Sequence, residues 1–373
     1  MWEYIPFENC LEKTKIKFKL PKKDYRESGE YPIVSQEENL ISGYHDDISY
    51  IFKVAKPIVV FGDHTLALKY IDFDFIVGAD GVKILQPKKT INSKYFYYVL
   101  KALMPKTTGY ARHYKLLKKL DIPVPPLAEQ ERIVAKLDAA FAEIDEAVNA
   151  AIAKETEVKK LKASFLSSSL TGDAVMWKTQ KLSDVIEKGE TVNPTTNPDT
   201  KFSYIDVSSV DRKNFSISKI QTLRGKDAPS RARRLVKTGD VLFATIRPTL
   251  QRIAIVPEKL NGEVCSTGYI VLRSKASIIC NKFIFYYMLS EKVNTQMEAM
   301  QTGASYPAVN DTQVKNLHVS FPSLSEQKLI VSRLDRAFSE LKNANEAIVK
   351  SKANYLALKS AILSQELQPS EAA

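Results

Sequence analysis

The sequence predicts an α+β protein in which two α/β globular units are separated by two long antiparallel helices that form a coiled coil. Three observations predict this internal pseudo-twofold duplication. Residues 126–141 (PLAEQERIVAKLDAAF) and 323–338 (SLSEQKLIVSRLDRAF) are closely similar, each leads into a long stretch without glycine or proline, and the similarity continues upstream. Four segments follow from it: a first unit at 1–125, a helix at 126–172, a second unit at 173–321 and a helix at 322–373.

Length and composition fit two ordinary domains and a polyanionic partner. The 373 residues are 44% hydrophobic and 26% charged, with 54 Lys and Arg against 43 Asp and Glu, a net charge of +11. The start of the chain has no leader pattern and no long apolar run occurs, so we expect a cytoplasmic protein without a membrane span. Three scattered cysteines, Cys10, Cys265 and Cys280, are expected to be reduced core residues.

The duplication extends from the helices into both globular units. Residues 125–170 match 322–367 without a gap at an offset of 197 residues. Upstream, Trp2 matches Trp177 at an offset of 175, Gly81 matches Gly268 at 187, and the pair Tyr97-Tyr98 matches Tyr286-Tyr287 at 189. Matches in one order with growing offsets describe two copies of one unit, the second with insertions.

Both ends of the duplication have the apolar spacing of long amphipathic helices. The first stripe is Leu137, Phe141, Ile144, Val148, Ala151, Ile152, Val158, Leu161 and Phe165. The second is Val331, Leu334, Phe338, Leu341, Ile348, Tyr355, Leu358 and Ile362. About 40 helical residues make a rod of roughly 60 Å. Because the apolar stripe of a single helix would be exposed to solvent, we expect the two helices to pack together and bury both stripes.

The Glu-Gln pairs at the two helix starts, Glu129-Gln130 and Glu326-Gln327, have two interpretations. One is helix-start chemistry, since Ser323 and Glu326 fit a capping box and prolines precede both helices. The other is contact with a partner protein. The stripe residues just beyond them, Leu137, Phe141, Leu334 and Phe338, are candidates for the same helix or partner contacts.

Basic residues suggest where a polyanion would bind. In the first unit KTKIKFKL (13–20) predicts a half-buried strand whose Lys15, Lys17 and Lys19 share a cationic face, with Lys22 just beyond. In the second unit the candidates lie in the loop 223–240 and the next one: Arg224, Lys226, Arg231, Arg233, Arg234, Arg247 and Arg252. The alternatives are a solvated lysine-rich edge and a solvated basic loop.

A third element precedes each helix and carries groups suited to base contacts. These are Tyr110, Arg112 and His113 in the first unit, and Ser305, Tyr306 and Asn310 in the second. His113 is otherwise an ordinary surface histidine. No phosphate-binding glycine motif and no metal-ligand spacing among the four histidines occurs, so we expect no catalytic residue, metal or cofactor.

The repeated basic unit closed by a long helix opening on P-P-L-x-E-Q-x-x-I resembles the DNA-specificity (S) subunit family, HsdS, of type I restriction-modification systems. The resemblance rests mainly on IPVPPLAEQERIVAKLDAAF and VSFPSLSEQKLIVSRLDRAF. Its weakest point is VVFGDHTLALKY in the first unit, which has no clear match to KTGDVLFATIRP in the second.

The resemblance implies that each globular unit is a target recognition domain for one half of a bipartite, asymmetric site in double-stranded DNA. It implies that the helices set the spacer and that two methyltransferase (M) subunits and restriction/translocase (R) subunits are partners. S-adenosylmethionine is then expected on the M subunit, which methylates adenine N6. The alternative hypothesis is a coiled-coil protein-interaction scaffold with two globular binding domains; an enzyme acting alone on DNA is disfavoured by the missing motifs.

Overall fold

A computed structural model describes residues 2–104, 111–172 and 176–368 of the chain. These residues form two compact units. Unit 1 contains the residues up to Ile152 and those from Val349 onward, and unit 2 contains Ala153–Ile348. Each unit therefore includes one globular part and a segment of each long helix.

Unit 1 is built on short sheets beside one mid-length helix. Its strands are β1 (Glu3–Pro6), β2 (Leu11–Glu12), β3 (Tyr31–Val34), β4 (Gly43–His45), β5 (Ile51–Phe52), β6 (Ile58–Gly62), β7 (Leu68–Ile71), β8 (Phe75–Val77), β9 (Val82–Pro87) and β10 (Asp121–Val124). Its helices are α1 (Ser93–Leu103), α2 (Tyr114–Leu117), the beginning of α3 (Leu127–Ser169) and the end of α8 (Leu324–Glu366). The strand orders are β1-β10, β2-β9-β6-β7 and β4-β3-β8-β5.

Unit 2 has the same plan with additional strands. Its strands are β11 (Lys178–Lys181), β12 (Lys201–Ile205), β13 (Val210–Asp211), β14 (Ser216–Ile217), β15 (Gln221–Arg224), β16 (Ala232–Leu235), β17 (Val241–Ala244), β18 (Ile253–Ile255), β19 (Val264–Ser266), β20 (Tyr269–Leu272) and β21 (His318–Phe321). Its helices are the end of α3, α4 (Leu182–Val185), α5 (Asn281–Leu289), α6 (Glu291–Met300), α7 (Asp311–Lys315) and the beginning of α8. The strand orders are β11-β21, β15-β12-β19-β16, β13-β14 and β18-β17-β20.

The predicted duplication is confirmed in the strand register. In unit 1 the antiparallel pair β1-β10 places Glu3 opposite Val124. In unit 2 the pair β11-β21 places Lys178 opposite Phe321. These partners differ by the offsets of 175 and 197 found in the sequence, so each unit ties its first strand to the strand that leads into its long helix.

The stretch VVFGD of unit 1 does have a counterpart in unit 2, which the sequence comparison missed. Val59 of β6 lies opposite Leu85 of β9, just as Val241 of β17 lies opposite Leu272 of β20. VVFGD therefore corresponds to VLFAT, beginning at Val241. The match was hidden because the following loop is shorter in unit 1: it closes by a backbone hydrogen bond between residues 62 and 67, against 244 and 252 in unit 2.

The two long helices are observed where the sequence predicts them, and they run antiparallel within each unit. In unit 1 Lys136 of α3 pairs with Glu366 of α8 at 2.6 Å, while Asp145 pairs with Lys359. In unit 2 the Lys162 ammonium lies 4.4 Å from the centre of the Phe338 ring. Residue numbers thus rise along α3 as they fall along α8.

Three of the expected stripe positions were wrong, and the first of them, Ile152, is 48% exposed. Leu161 and Leu358 occupy equivalent places in the repeat, and they are 57% and 49% exposed. The helix faces are instead completed by Leu166 and Leu363, which are also equivalent and are both buried. The stripe drifts around the helix because 3.6 residues per turn do not divide a strict seven-residue repeat. No helix of the described residues is long and apolar enough to cross a membrane.

Candidate DNA-binding interface

The glutamine of each repeated Glu-Gln pair fastens the start of its long helix to the globular part. Gln130 is fully buried; its Oε1 accepts a hydrogen bond from the Asn92 backbone N–H at 2.8 Å. Its Nε2 donates to the backbone oxygens of Thr90 and Pro125 at 3.1 and 2.8 Å. The equally buried Gln327 makes the same three hydrogen bonds, at 2.9, 3.0 and 2.9 Å, with Cys280 N–H, Ile278 O and Pro322 O. Both glutamines are covered by their own unit, which favours the architectural interpretation over partner contact.

The glutamates of these pairs face outward. Glu129 receives two hydrogen bonds from the Arg132 guanidinium at 2.7 and 2.8 Å, and the pKa of its carboxyl is lowered mainly by them. Glu326 is exposed, and its backbone N–H donates to Ser323 Oγ at 3.4 Å, one of the two hydrogen bonds of the predicted capping box. Pro126 takes the place of Ser323 in the first copy, and its backbone oxygen accepts from Glu129 N–H.

An aspartate about three turns into each long helix contacts the neighbouring mid-length helix. The Tyr286 hydroxyl donates to Asp335 at 2.8 Å, and Lys282 pairs with the same carboxylate at 2.6 Å. Burial and the hydrogen bond to Asp335 raise the pKa of Tyr286, so the phenol stays a donor. In unit 1 the equivalent contacts join Asp138 to Tyr98 and Lys94.

This geometry corrects the alignment of the tyrosine pairs by one residue. Tyr98 is equivalent to Tyr286, at an offset of 188, whereas the sequence comparison paired it with Tyr287. The rings confirm this: Tyr98 packs edge-on against Phe141 at 5.4 Å, and Tyr286 packs edge-on against Phe338 at 5.2 Å. Leu137 and Leu334, which were predicted together with Phe141 and Phe338 to make helix or partner contacts, are fully buried. Two adjacent identical letters made the wrong register look better than the right one.

Several loops of unit 2 meet at one edge of its sheets, and we call them the loop edge of unit 2. The Arg231 backbone oxygen accepts from Thr267 N–H at 2.8 Å, and Gly268 O accepts from Thr245 N–H at 2.9 Å. Two more backbone hydrogen bonds, of 2.9 and 2.7 Å, join Val309 N–H to Thr245 O and Arg247 N–H to Pro307 O. The loop edge of unit 2 comprises residues 206–208, 231, 245–252, 266–268 and 302–309.

Unit 1 forms the same edge with its own loops. Asp63 N–H donates to Gly81 O, and His113 N–H donates to Asp63 O, both at 2.8 Å. Asp63 Oδ1 also accepts from Tyr114 N–H at 2.8 Å. The loop edge of unit 1 comprises residues 35–36, 62–66, 78–81 and 111–113.

The matched glycines are required by the close approach of these loops. A Cβ on Gly268 would lie 2.5 Å from the Val207 side chain and 3.2 Å from that of Ile246. Gly81 has a φ of +73°, and a Cβ there would lie 2.4 Å from Gln36 Oε1. A side chain at residue 81 would have to displace Gln36 and would be strained by the left-handed backbone of unit 1. The matching glycines therefore mark the point where each loop edge closes.

The seven predicted basic residues of unit 2 fall into three groups. Arg231 and Arg247 are exposed on the loop edge, with the half-buried Arg252 at the end of the same loop. Arg234 is committed to Asp311, which its two terminal nitrogens contact at 2.7 and 3.0 Å, and its half-buried neighbour Arg233 donates to a backbone oxygen. The remaining two predicted residues, Arg224 and Lys226, are exposed at the opposite end of β12, where Arg224 lies across from Lys201. The predicted basic loop is thus divided rather than gathered into one patch.

The lysines of unit 1 do not form the predicted strand. Residues 13–19 make no sheet pairing; β2 ends at Glu12, and the chain next pairs at Leu20, which forms an isolated bridge with Gly78. Lys15 and Lys17 are exposed, but Lys19 turns inward, donates to Val82 O at 3.0 Å and has its pKa lowered by burial. Lys22 forms an ion pair with Glu37. Of the four predicted cations, Lys15 and Lys17 have the exposure that a phosphate contact needs.

The predicted base-contacting residues also divide. Ser305 and Tyr306 are exposed on the loop edge of unit 2, and Arg112 is exposed in unit 1. Asn310 instead caps α7: its Oδ1 accepts a hydrogen bond from Gln313 N–H at 2.9 Å. In return, the Asn310 backbone N–H donates to Gln313 Oε1. The expected surface position of His113 was wrong, since it is 4% exposed beneath the loop edge of unit 1. Tyr110 lies outside the described residues.

Comparison with known proteins identifies the family. A profile for the type I restriction modification DNA specificity domain matches residues 2–154 and 174–351, most of the chain and both units. The chain belongs to this family. Similar curated relatives are the EcoR124I/EcoR124II specificity subunit of Escherichia coli (24% identity, 92% of this chain and 88% of that protein) and the MjaVIII specificity subunit of Methanocaldococcus jannaschii (23%, 94% and 90%).

Solved structures of related chains are similar over about half of their length. The HsdS subunit from Thermoanaerobacter tengcongensis is 33% identical over 50% of this chain and 48% of that one, with a TM-score of 0.46. A chain from a structural study of complex assembly and conformational transition of the type I restriction-modification system is 34% identical, covering 54% of this chain and 52% of that one, with a TM-score of 0.50. By its family, which the profile match shows, the protein is a specificity subunit, a noncatalytic component of a type I restriction-modification system.

One buried residue of this specificity subunit escaped the sequence analysis. Lys69 is 5% exposed, and its ammonium donates to the backbone oxygens of Ser35 and Asn39 beneath the loop edge of unit 1. Burial lowers its pKa from 10.5 to about 8. Ala254 occupies the equivalent place in unit 2, since both lie in the strand next to the matched β6 and β17. The only signal in the sequence was a lysine inside the apolar alternation of β7.

Proposed function

We propose that each unit binds one half of a bipartite, asymmetric site in double-stranded DNA through its loop edge. The observation that carries this proposal is the contrast inside the duplication. The groups that fasten unit to helix recur, with Gln130 and Asp138 matched by Gln327 and Asp335. The loop edges differ in length and in side chains, which two different half-sites require.

The long helices are proposed to set the unspecified spacer between the half-sites. Each helix has 43 residues and contributes to both units. Because a helix has a fixed rise of about 1.5 Å per residue, its length is a natural determinant of spacing. The family resemblance implies that the helices set the spacer, and we propose this role for the antiparallel helix segments that each unit contains.

The partners proposed are DNA, two M subunits and the R subunits of a type I complex. The two equivalent helical regions provide one M-binding surface each, and S-adenosylmethionine is expected on M rather than on this chain. Membership of the DNA specificity family favours this function over the alternative of a coiled-coil protein-interaction scaffold.

The test is methylome sequencing of a host that carries this chain together with its M subunit. Wild type should give one bipartite adenine-methylated site. Adding one matched helical turn to both helices, after Ala151 and after Ile348, should lengthen the spacer and leave both half-sites unchanged. The insertions must be paired because the helix segments are antiparallel, and a turn in α3 alone is the mismatched control. An unchanged spacer with the paired insertions would contradict the spacing role, and methylation without sequence preference would contradict DNA reading itself.

A further inference from the structure

The loop between β17 and β18 holds Arg247 in an unfavourable backbone conformation. Arg247 and Gln251 both have a φ of +49°, a left-handed region that residues with a Cβ avoid, and the buried Pro248 lies between them. Contacts from outside the loop maintain it: Arg247 N–H donates to Pro307 O at 2.7 Å and Gln251 Nε2 donates to Leu289 O at 3.1 Å. Strained backbone held in this way is concentrated at functional sites.

The Arg247 side chain is fixed as well. Its guanidinium carbon lies 4.8 Å from the centre of the Tyr306 ring, and Nη2 donates to Ser305 O at 3.2 Å. Tyr306 is itself 71% exposed, so the stacked pair stands at the surface of the loop edge. Within the described residues no carboxylate lies within 4 Å of Arg247, in contrast to Arg234 on Asp311. The guanidinium therefore keeps its charge and free N–H donors available for a ligand.

A planar guanidinium with fixed orientation suits one base better than the others. Guanine presents two acceptors, N7 and O6, side by side in the major groove, and the parallel donors of arginine match them. Adenine offers one acceptor beside a donor there, and neither pyrimidine offers a pair of acceptors. An arginine held only for a phosphate would not need both a strained backbone and a stacking partner, because phosphate oxygens accept from many directions.

We propose that Arg247 recognises one guanine in the half-site bound by unit 2, with Tyr306 as the residue that positions its guanidinium. The inference rests on the proposed function, since it needs unit 2 to bind a half-site. Unit 1 lacks the device: its corresponding loop closes between residues 62 and 67, is shorter, and has the sequence GDHTLA without an arginine. The Thr65 hydroxyl in this loop donates to Gln36 O. The guanine contact is therefore a property of one half-site alone.

The experiment uses the full chain in complex with its M subunits and a DNA library randomised over both half-sites. Wild type should select a guanine at a position of the unit 2 half-site where Arg247→Ala selects none. The same variant should bind the wild-type site about tenfold to a hundredfold more weakly and keep its preference at the other half-site. Arg247→Lys keeps the charge without the planar fork, so it should restore overall binding but not the guanine preference.

Two further variants keep the test decisive. Arg247→Gly relieves the positive φ, so it separates loss of the side chain from misfolding of the loop. Tyr306→Ala should weaken the guanine preference while leaving the net charge unchanged. Equal weakening on all sequences with a reduced salt dependence would overturn the proposal in favour of a phosphate contact. If wild type selects no sequence at all, the proposed function fails; if wild type selects and Arg247→Ala selects the same site, only this inference fails.

Discussion

Units 1 and 2 share the contacts that bind them to the helices and differ at their loop edges. A buried glutamine, an aspartate with its tyrosine and lysine, and an edge-on aromatic pair recur at matched positions. Near the loop edges, Lys69 of unit 1 corresponds to Ala254 of unit 2, and the loop that contains Arg247 in unit 2 is shorter and has no arginine in unit 1. The two copies therefore share the contacts between globular part and long helix, and differ in the side chains exposed at their loop edges.

The largest effect is expected at the shared glutamines. Gln327→Met keeps the volume of the side chain but leaves one N–H and two carbonyl groups without their buried partner, and each such loss costs about 1–3 kcal/mol. We expect about 3–5 kcal/mol of destabilisation in unit 2, and the same for Gln130→Met in unit 1. The chain has two tryptophans, Trp2 in unit 1 and Trp177 in unit 2, so denaturant unfolding followed in Trp177→Phe and Trp2→Phe backgrounds reports each unit separately.

Matched controls are provided by the outward-facing neighbours. Glu326→Ala and Glu129→Ala should each lower the free energy of unfolding by less than about 1 kcal/mol, since Glu326 is exposed and Glu129 forms a surface ion pair with Arg132. A glutamine substitution that destabilised only one unit would break the equivalence of the two mountings. Equal costs for Glu and Gln variants would contradict the assignment of the glutamine as the residue that fastens the helix.

The long helices and the repeat could be predicted because their signals are local. An apolar stripe without glycine or proline determines a helix over 43 residues whatever surrounds it. The role of Gln130 was half predicted, as architecture, but its hydrogen-bond partners could not be, because Asn92 and Thr90 lie about 40 residues away in the chain. The spacing of residues within a helix does not indicate which distant backbone groups a side chain of that helix will bind.

The second effect, which is confined to unit 1, depends on pH. The pKa of Lys69 is lowered to about 8 in the folded protein, whereas the unfolded chain keeps the ordinary value of 10.5. Between these values the unfolded chain binds more protons, so the stability of unit 1 rises as pH increases. From pH 7 to pH 9 this contributes about 1 kcal/mol. Denaturant unfolding of wild type and Lys69→Met, followed through Trp2, should differ in pH dependence by this amount.

Unit 2 is the internal control for that measurement. Ala254 replaces Lys69 there, so unfolding followed through Trp177 should have the same pH dependence in both proteins. Lys17→Met, which removes an exposed lysine of unit 1, should leave the pH dependence of wild type intact. If wild type and Lys69→Met shared one pH profile in unit 1, the buried lysine would not be the source of the asymmetry.

The loop edges were the least predictable part of the molecule for a related reason. Six arginines and lysines within residues 223–240 looked like one patch, but the sheet carries Arg224 to one end of β12 and Arg231 to the other. Asn310 has the composition of a base-contacting residue and is used as a helix cap. Composition identifies groups that can bind DNA, whereas strand register decides which of them are left free to do so.

The smallest effect separates two arginines that the sequence alone treats alike. Arg231 is exposed on the loop edge of unit 2, so Arg231→Ala should weaken DNA binding of the complex about threefold to fivefold and reduce the salt slope by about one. Arg234 holds Asp311, so Arg234→Ala should destabilise unit 2 by about 1 kcal/mol and change the salt slope little. Binding isotherms at three salt concentrations, with unfolding followed through Trp177, distinguish the two roles. If Arg234→Ala reduced the salt slope and Arg231→Ala did not, the loop edge would not be the surface through which unit 2 binds DNA. The arginine that pairs with Asp311 would then be the one that contacts phosphate.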